Sequence, residues 1–224
     1  YPMKITNYGK DVVMKVVYVT LVLDVTAFIV NIPVLKIVLL SLSFFLLIFT
    51  FYFFRDPSRE LPADLSKNSV ISPADGKVVL IEDVENIYKD FFGDIKVKQL
   101  SIFLSPLNVH VNCYPVSGTL KYFNYIKGEY LVAFNHKASD KNERSELGVE
   151  TANGKKLIFK QIAGFVARRI VCDVKLNQSV KAGEKFGMIK FGSRVDLIFD
   201  RNTDIKVKTG DKVTAGMTVI AELR

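Results

Sequence analysis

Three residues of this chain carry side chains that together could make and break an acyl bond: Ser193, His110 and Asp75. Ser193 follows Gly192 in Lys190-Phe191-Gly192-Ser193-Arg194-Val195-Asp196, between two runs that read as strands. A Gly-Ser pair there reads as a tight hairpin turn, with glycine supplying a positive φ and serine bonding its own backbone. A sharper reading is a self-cleavage site. The serine hydroxyl can attack the carbonyl before it, because glycine offers no Cβ to obstruct the approach. The resulting ester can eliminate, leaving a new chain that begins with a pyruvoyl group. That step needs a base, and the chain has two histidines, His110 and His136. His110 closes Leu104-Ser-Pro-Leu-Asn-Val-His110, and Asp75 sits in Ser72-Pro-Ala-Asp75-Gly76-Lys77. A carboxylate that orients an imidazole, and an imidazole that takes a hydroxyl proton, are the parts of a hydrogen-bonded triad. Each member also has a plainer reading: Asp75-Gly76 as a turn pair, His110 as a core histidine with a satisfied ring. His136 reads as a solvated loop residue.

The elements that must position them are mostly strands. Ser69–Glu82 reads as strand, turn at Pro73 to Gly76, strand. Lys96–Leu104 is a further strand, and Val109–Pro115 alternates so that His110, Asn112 and Tyr114 share one face. Ser117-Gly118 turns into Thr119–Ile126. Phe134–Arg144 is polar, lysine-rich and without a period, as a long loop is. Gly148–Thr151 and Lys156–Ile162 pair around Ala152-Asn153-Gly154, a strong hairpin signal. Phe165–Val174 reads as either helix or strand. Glu184–Lys190 and Val195–Phe199 flank the Gly-Ser pair, the latter alternating as a half-buried strand does. The expected class is mainly β within an α+β chain.

The N-terminal quarter differs. Val12–Val34 is apolar apart from Lys15, Thr20, Asp24, Thr26 and Asn31, and Ile37–Phe54 has only Ser41, Ser43 and Thr50 as polar members. The second run just reaches the length that crosses a hydrocarbon core as a helix, and Asp24 is costly to the first. The first residue is Tyr1, which reads as a processed or trimmed start, and no small-residue cleavage pattern of a signal peptide follows the apolar stretch. The expected organisation is a membrane-associating helical segment over residues 1–56 and a β-rich catalytic domain over 57–224, divided at the polar break around Pro57. Lys4, Lys10 and Lys15 before the segment and Arg55 after it place both ends, and the catalytic domain, on the cytoplasmic side of the cell membrane. The net charge of +8 is scattered and carries no nucleic-acid motif, so an anionic membrane surface is the expected partner. Cys113 and Cys172 lack metal-ligand spacing and read as free thiols.

The last 50 residues contain an echo. Ser179-Val-Lys-Ala-Gly183-Glu-Lys-Phe-Gly-Met-Ile189 resembles Lys206-Val-Lys-Thr-Gly210-Asp-Lys-Val-Thr-Ala-Gly-Met-Thr-Val-Ile220. Two such β-hammerheads facing each other make the small sandwich of lipoyl and biotinyl carrier domains, so a lipoyl-like sandwich is expected at the C-terminal end. The Gly192-Ser193 pair falls between the two copies.

Ser72-Pro-Ala-Asp75-Gly76, Leu104-Ser-Pro-Leu-Asn-Val-His110-Val-Asn112 and Phe191-Gly-Ser193-Arg-Val-Asp196, in that order, resemble the phosphatidylserine decarboxylases, in the short form of many bacteria and archaea. The likeness runs from about Ile37 to the end and takes in Phe53-Phe-Arg-Asp-Pro57 and Asn142-Glu-Arg144. It implies a proenzyme that cuts itself between Gly192 and Ser193 into a β chain, 1–192, and an α chain, 193–224. The two chains would stay together as a heterodimer, with a higher oligomer open. Ser193 would become the pyruvoyl group, the one cofactor, with no metal and no pyridoxal phosphate. Asp75, His110 and Ser193 take the self-cleavage triad by the same resemblance. The implied reaction joins the headgroup amine of a serine phospholipid to the pyruvoyl ketone as a Schiff base and releases carbon dioxide, with His110 returning the proton. Two departures stand out. The long forms have Leu-Gly-Ser-Thr where this chain has Phe191-Gly-Ser-Arg194. They also carry a second histidine where Cys113 stands here. The alternatives left open are a decarboxylase of archaetidylserine, and a membrane-anchored lipoyl-like carrier or adaptor. The carrier would be modified at Lys190.

Overall fold

The computed structural model describes residues 4–129, 141–164, 169–190 and 193–224. The chain divides into two compact units, Tyr1–Ser58 and Arg59–Arg224.

The first unit is a closed helical hairpin. Strand β1 (Lys4–Ile5) leads through a short 3-10 turn, Asn7–Gly9, into α1 (Lys10–Ile29). Three residues later α2 (Pro33–Phe53) begins with proline in its first turn, where the missing N–H costs nothing. Strand β2 (Arg55–Asp56) returns to pair with β1, Lys4 opposite Asp56 and Ile5 opposite Arg55. The seam between the helices is made of small residues. Val13, Thr20 and Ala27 recur every seven positions on α1, and Ser43 and Thr50 do so on α2; all five are buried. Small side chains let two backbones approach closely without help from water. The same closeness governs the base, where any Cβ on Gly9 would collide with the Phe54 ring. The outer surface is large and apolar, Phe28, Phe44, Phe45 and Ile48 among it. Both helices are long and apolar enough to cross a membrane. The 21 residues of α2 make about 31 Å of helix, against a hydrocarbon core of about 30 Å. The pair is consistent with membrane association.

The second unit is mainly β. In chain order it holds β3 (Ser69–Ile71), β4 (Gly76–Val84), a turn of helix α3 (Lys89–Phe92), β5 (Val97–Leu104) and β6 (Val111–Cys113). Then come β7 (Gly118–Ile126), β8 (Arg144–Glu150), β9 (Lys156–Ala163) and β10 (Arg169–Cys172). The chain ends with β11 (Ser179–Val180), β12 (Lys185–Lys190), β13 (Ser193–Asp200), β14 (Asp204–Ile205), β15 (Lys212–Val213) and β16 (Val219–Glu222). Eight strands form a curled sheet in the order β11-β7-β8-β9-β13-β5-β4-β15. Two three-stranded sheets, β10-β12-β6 and β14-β16-β3, complete the unit.

The main core lies on one face of the large sheet, where Leu100, Ile102, Leu104, Leu147, Phe159, Val195, Leu197 and Phe199 meet Tyr114, Phe186 and Ile189. Phe159 packs edge to ring with Tyr114 and Phe186 at 6.0 and 5.2 Å, and Tyr114 meets Phe186 at a tilt, 5.0 Å away. The opposite face is buried as well. There Tyr88, Phe91 and Phe92 cover Ile158 and Ile198.

The strand expectations from Ser69 to Ile126 and the hairpin over 144–163 are found, with Gly154 at φ 73° in its turn. The undecided stretch holds a strand, β10. Two readings change. β12 and β13 are not a hairpin: β12 pairs with β10 and β6, while β13 pairs with β5 and β9. The chain passes from one sheet to the other between Lys190 and Ser193. Nor is β13 half-exposed, because both its faces are buried. The C-terminal echo is one turn made twice. Gly183 and Gly210 take φ 80° and 102°, and Glu184 and Asp211 each accept from the amide three residues before, that of Lys181 or Lys208. The copies distribute their strands over the sheets: β11 and β15 edge the large one, while β12 and β16 are central in the two small ones. His136 and Gly192 lie outside the described residues, as does most of Phe134–Arg144.

Candidate active site

Register gathers the sequence-derived residues at one end of the large sheet. Ser193, first residue of β13, lies between Leu104 of β5 and Ala163 of β9. Lys77, two residues after Asp75, pairs with Phe103. Two strand spacings, about 10 Å, therefore separate the backbones around Asp75 and Ser193. The turn leaving Leu104 leads to His110. It is shaped by Asn108, whose side chain accepts from the Ser105 amide at 2.8 Å.

Ser193 is wholly buried, and its hydroxyl has no hydrogen-bond partner among the described residues. By strand alternation it shares the core face with Val195, Leu197 and Phe199. An orphaned buried hydroxyl is costly, of order 1–3 kcal/mol, and calls for an explanation beyond stability.

His110 is also wholly buried. Its Nδ1 lies 2.9 Å from the Asn108 carbonyl. A carbonyl can only accept, so Nδ1 carries the proton and Nε2 is the basic nitrogen of the neutral ring. The backbone carbonyl thus orients the ring and fixes its tautomer, without the negative charge a triad carboxylate would add. His110 also accepts, through its own carbonyl, from the Ile189 amide at 3.3 Å, which ties it to β12.

The hydrogen bonds described for Asp75 go elsewhere. Its carboxylate accepts from Arg59 Nη1 at 2.6 Å and Nη2 at 2.8 Å, and from the Ala215 amide at 2.9 Å. Arg59 Nη1 also donates to the Ala215 carbonyl at 3.0 Å. Asp75 is followed by Gly76, where a Cβ would collide with the Phe103 carbonyl. Cys113 lies beside this pair, its thiol 3.6 Å from the Ser72 carbonyl.

Further residues brace the same end. Asn112 donates to the Pro73 carbonyl at 3.4 Å and accepts from Gln161 at 2.8 Å, and Gln161 accepts from Ser145 at 2.8 Å. This buried chain crosses from β6 to β9 two residue pairs below Ser193, since Gln161 stands opposite Val195. Asn142 donates to the Ala163 carbonyl at 2.7 Å, fixing the residue opposite Ser193. That gives the Asn142-Glu-Arg144 segment a physical task. Arg59, Gln161 and Ser145 were not singled out from the sequence. Their partners are 16 to 156 residues away, beyond any local periodicity.

Burial pushes both thiols up, Cys113 and Cys172 each from 9.0 to about 12. Folded, these groups hold their protons more tightly than unfolded. Their contribution to stability is therefore present below about 9 and lost as pH rises toward 12. The thermal midpoint is expected to fall over that window, and Cys113→Ala to fall less steeply. Scanning calorimetry from pH 8 to 11 checks this.

The sequence was compared with known proteins. The family described as "Phosphatidylserine decarboxylase" matches residues 46–221. Three relatives are each named "Phosphatidylserine decarboxylase proenzyme". One from Chlorobium limicola is 42% identical over 217 residues, covering 97% of this chain and 99% of its own. One from Salinibacter ruber is 46% identical over 177 residues, covering 79% and 77%. One from Wolbachia pipientis wMel is 47% identical over 173 residues, covering 77% and 74%.

Proposed function

The chain belongs to the phosphatidylserine decarboxylase family, and on that premise we propose that it matures by cutting itself between Gly192 and Ser193 and then releases carbon dioxide from the serine headgroup of phosphatidylserine. The observation that carries the proposal is the Ser193 hydroxyl, buried at the head of a central strand without a partner among the described residues. It is a group held for reaction rather than for stability.

In the maturation step His110 Nε2 takes the Ser193 hydroxyl proton, and the Oγ adds to the Gly192 carbonyl. The peptide bond to nitrogen breaks, leaving an ester. Loss of the Cα proton of residue 193 then expels the Gly192 carboxylate, and hydrolysis of the remaining enamine releases ammonia and leaves the ketone. Asn108 holds His110 in the tautomer that can accept. Asp75 acts at one remove, fixing Arg59 and Ala215, and with them the turn beside Cys113. The 32 residues of the α chain remain within the fold, because β13 is hydrogen-bonded on both sides by strands of the β chain.

The residues fit the group they would carry: position 193 is enclosed, and the face around it is apolar but for Gln161 and Ser145. The ketone supplies the electron sink for the leaving carbon dioxide. In this reading His110 returns the proton, and the burial of Ser193 and His110 keeps competing water out. The helical pair keeps the domain at the bilayer that holds substrate and product, with the domain on the cytoplasmic side. The carrier reading fits less well, since it needs Lys190 at an exposed tip. Lys190 is 4% exposed, in a strand paired on both sides.

The test is the full chain in vesicles of phosphatidylserine, followed by lipid mass spectrometry. Phosphatidylethanolamine should accumulate with equimolar carbon dioxide. Unchanged headgroups in a chain that has been cut would contradict the substrate. An archaetidylserine arm then distinguishes the lipid backbone.

A further inference from the structure

Arg194 follows Ser193 but points to the opposite face of the sheet. Its side chain is 3% exposed, and Nε donates to Asp196 Oδ1 at 2.6 Å, a carboxylate with no exposure at all. Its Nη2 donates to Ser101 Oγ of β5 at 2.7 Å, and Ser101 in turn accepts from Gln99 at 3.1 Å. Asp196 stands opposite Lys160 of β9, which stands opposite Glu146 of β8; both are buried. Glu146 is paired with Arg144 at 2.8 Å. A row of alternating charges thus runs across three strands behind the cleavage site.

Burying such a row adds little to stability, since apolar replacements are often neutral or better. What it supplies is register. The core face of β13 reads Val195, Leu197, Phe199, and a slip of two residues would leave that face equally apolar. Cleavage makes Ser193 a chain end, free of β12. A two-residue slip in one direction would set Arg194 against Lys160, two buried cations. In the other it would set Asp196 against Ile162 and leave Lys160 against Ile198. Either slip would carry the terminal group about 7 Å along the strand.

We infer that the Arg194–Asp196 pair, locked to Ser101, is a register lock on the strand that bears the new terminus, which makes Arg194 a positioning residue for the ketone. The inference rests on the self-cleavage reading. Lysine cannot replace Arg194, because one ammonium lacks the fork that reaches Asp196 and Ser101 together.

The experiment compares wild type, Arg194→Lys and Ser101→Ala as full chains. Cleavage is followed by intact mass, ketones are counted by phenylhydrazine, and turnover is measured on phosphatidylserine vesicles. Both variants should be cut and should carry the ketone. The turnover rate per ketone should fall roughly ten- to hundredfold in Arg194→Lys, as a small misplacement of reacting groups does, and by less in Ser101→Ala, with KM unchanged. Wild-type turnover per ketone in Arg194→Lys, with only yield or thermal midpoint lowered, would overturn the lock. Should Arg194→Lys not fold, unchanged turnover per ketone in Ser101→Ala overturns it. A wild-type chain that stays whole is a separate result: it overturns the self-cleavage reading, and the lock with it.

Discussion

Ser193→Ala is expected to remain a single chain of 224 residues and to release no carbon dioxide above background. The loss is total rather than graded, because the hydroxyl oxygen is both the atom that opens the bond and the origin of the ketone. No other side chain can lend an oxygen to that position. The variant should fold. Its one change removes a buried hydroxyl that lacks a partner among the described residues, and deleting an unsatisfied polar atom leaves stability unchanged or raises it by about 1 kcal/mol. A thermal midpoint at or above wild type, with no fragments on a denaturing gel, is the predicted pair of results. Fragments in the variant would remove Ser193 from the chemistry.

His110→Gln is expected to slow maturation roughly a hundred- to ten-thousandfold, the range of a positioned general base. Glutamine retains polar atoms of similar reach but has no basic nitrogen. The ring it replaces is held by the Asn108 carbonyl, which selects Nε2 as the acceptor. The time course of fragment appearance after synthesis measures the effect. A wild-type rate would place the base elsewhere, with His136 the remaining imidazole. Asp75→Asn should slow maturation less than His110→Gln, since Asp75 holds Arg59 and Ala215 rather than the ring.

Much of the fold was legible in the sequence, and for local reasons. Alternation in Lys96–Leu104 and the Asn153-Gly154 turn specify β5 and the β8–β9 hairpin through contacts close in the chain. The long apolar runs specify α1 and α2 through length and composition. What periodicity does not carry is the choice of partner. Glu184–Lys190 and Val195–Phe199 read as the arms of a hairpin, yet they find neighbours far off in the chain and in different sheets, Met188 opposite Val111 and Phe199 opposite Lys98. Alternation also fails to separate water from a buried ion pair. Arg194 and Asp196 look like the solvent side of a strand, and they are buried because each satisfies the other. The candidate serine, histidine and carboxylate, Ser193, His110 and Asp75, were all visible as residue types. Their arrangement was not, because Arg59, which takes the Asp75 carboxylate, sits in a polar break that reads as a linker.

The most direct test of the account is the intact mass of the purified wild-type chain under denaturing conditions, before and after phenylhydrazine. The account predicts two fragments, 1–192 and 193–224, with the smaller one lacking the amine of Ser193 and gaining one hydrazone. A single whole chain that takes up no hydrazine would contradict it.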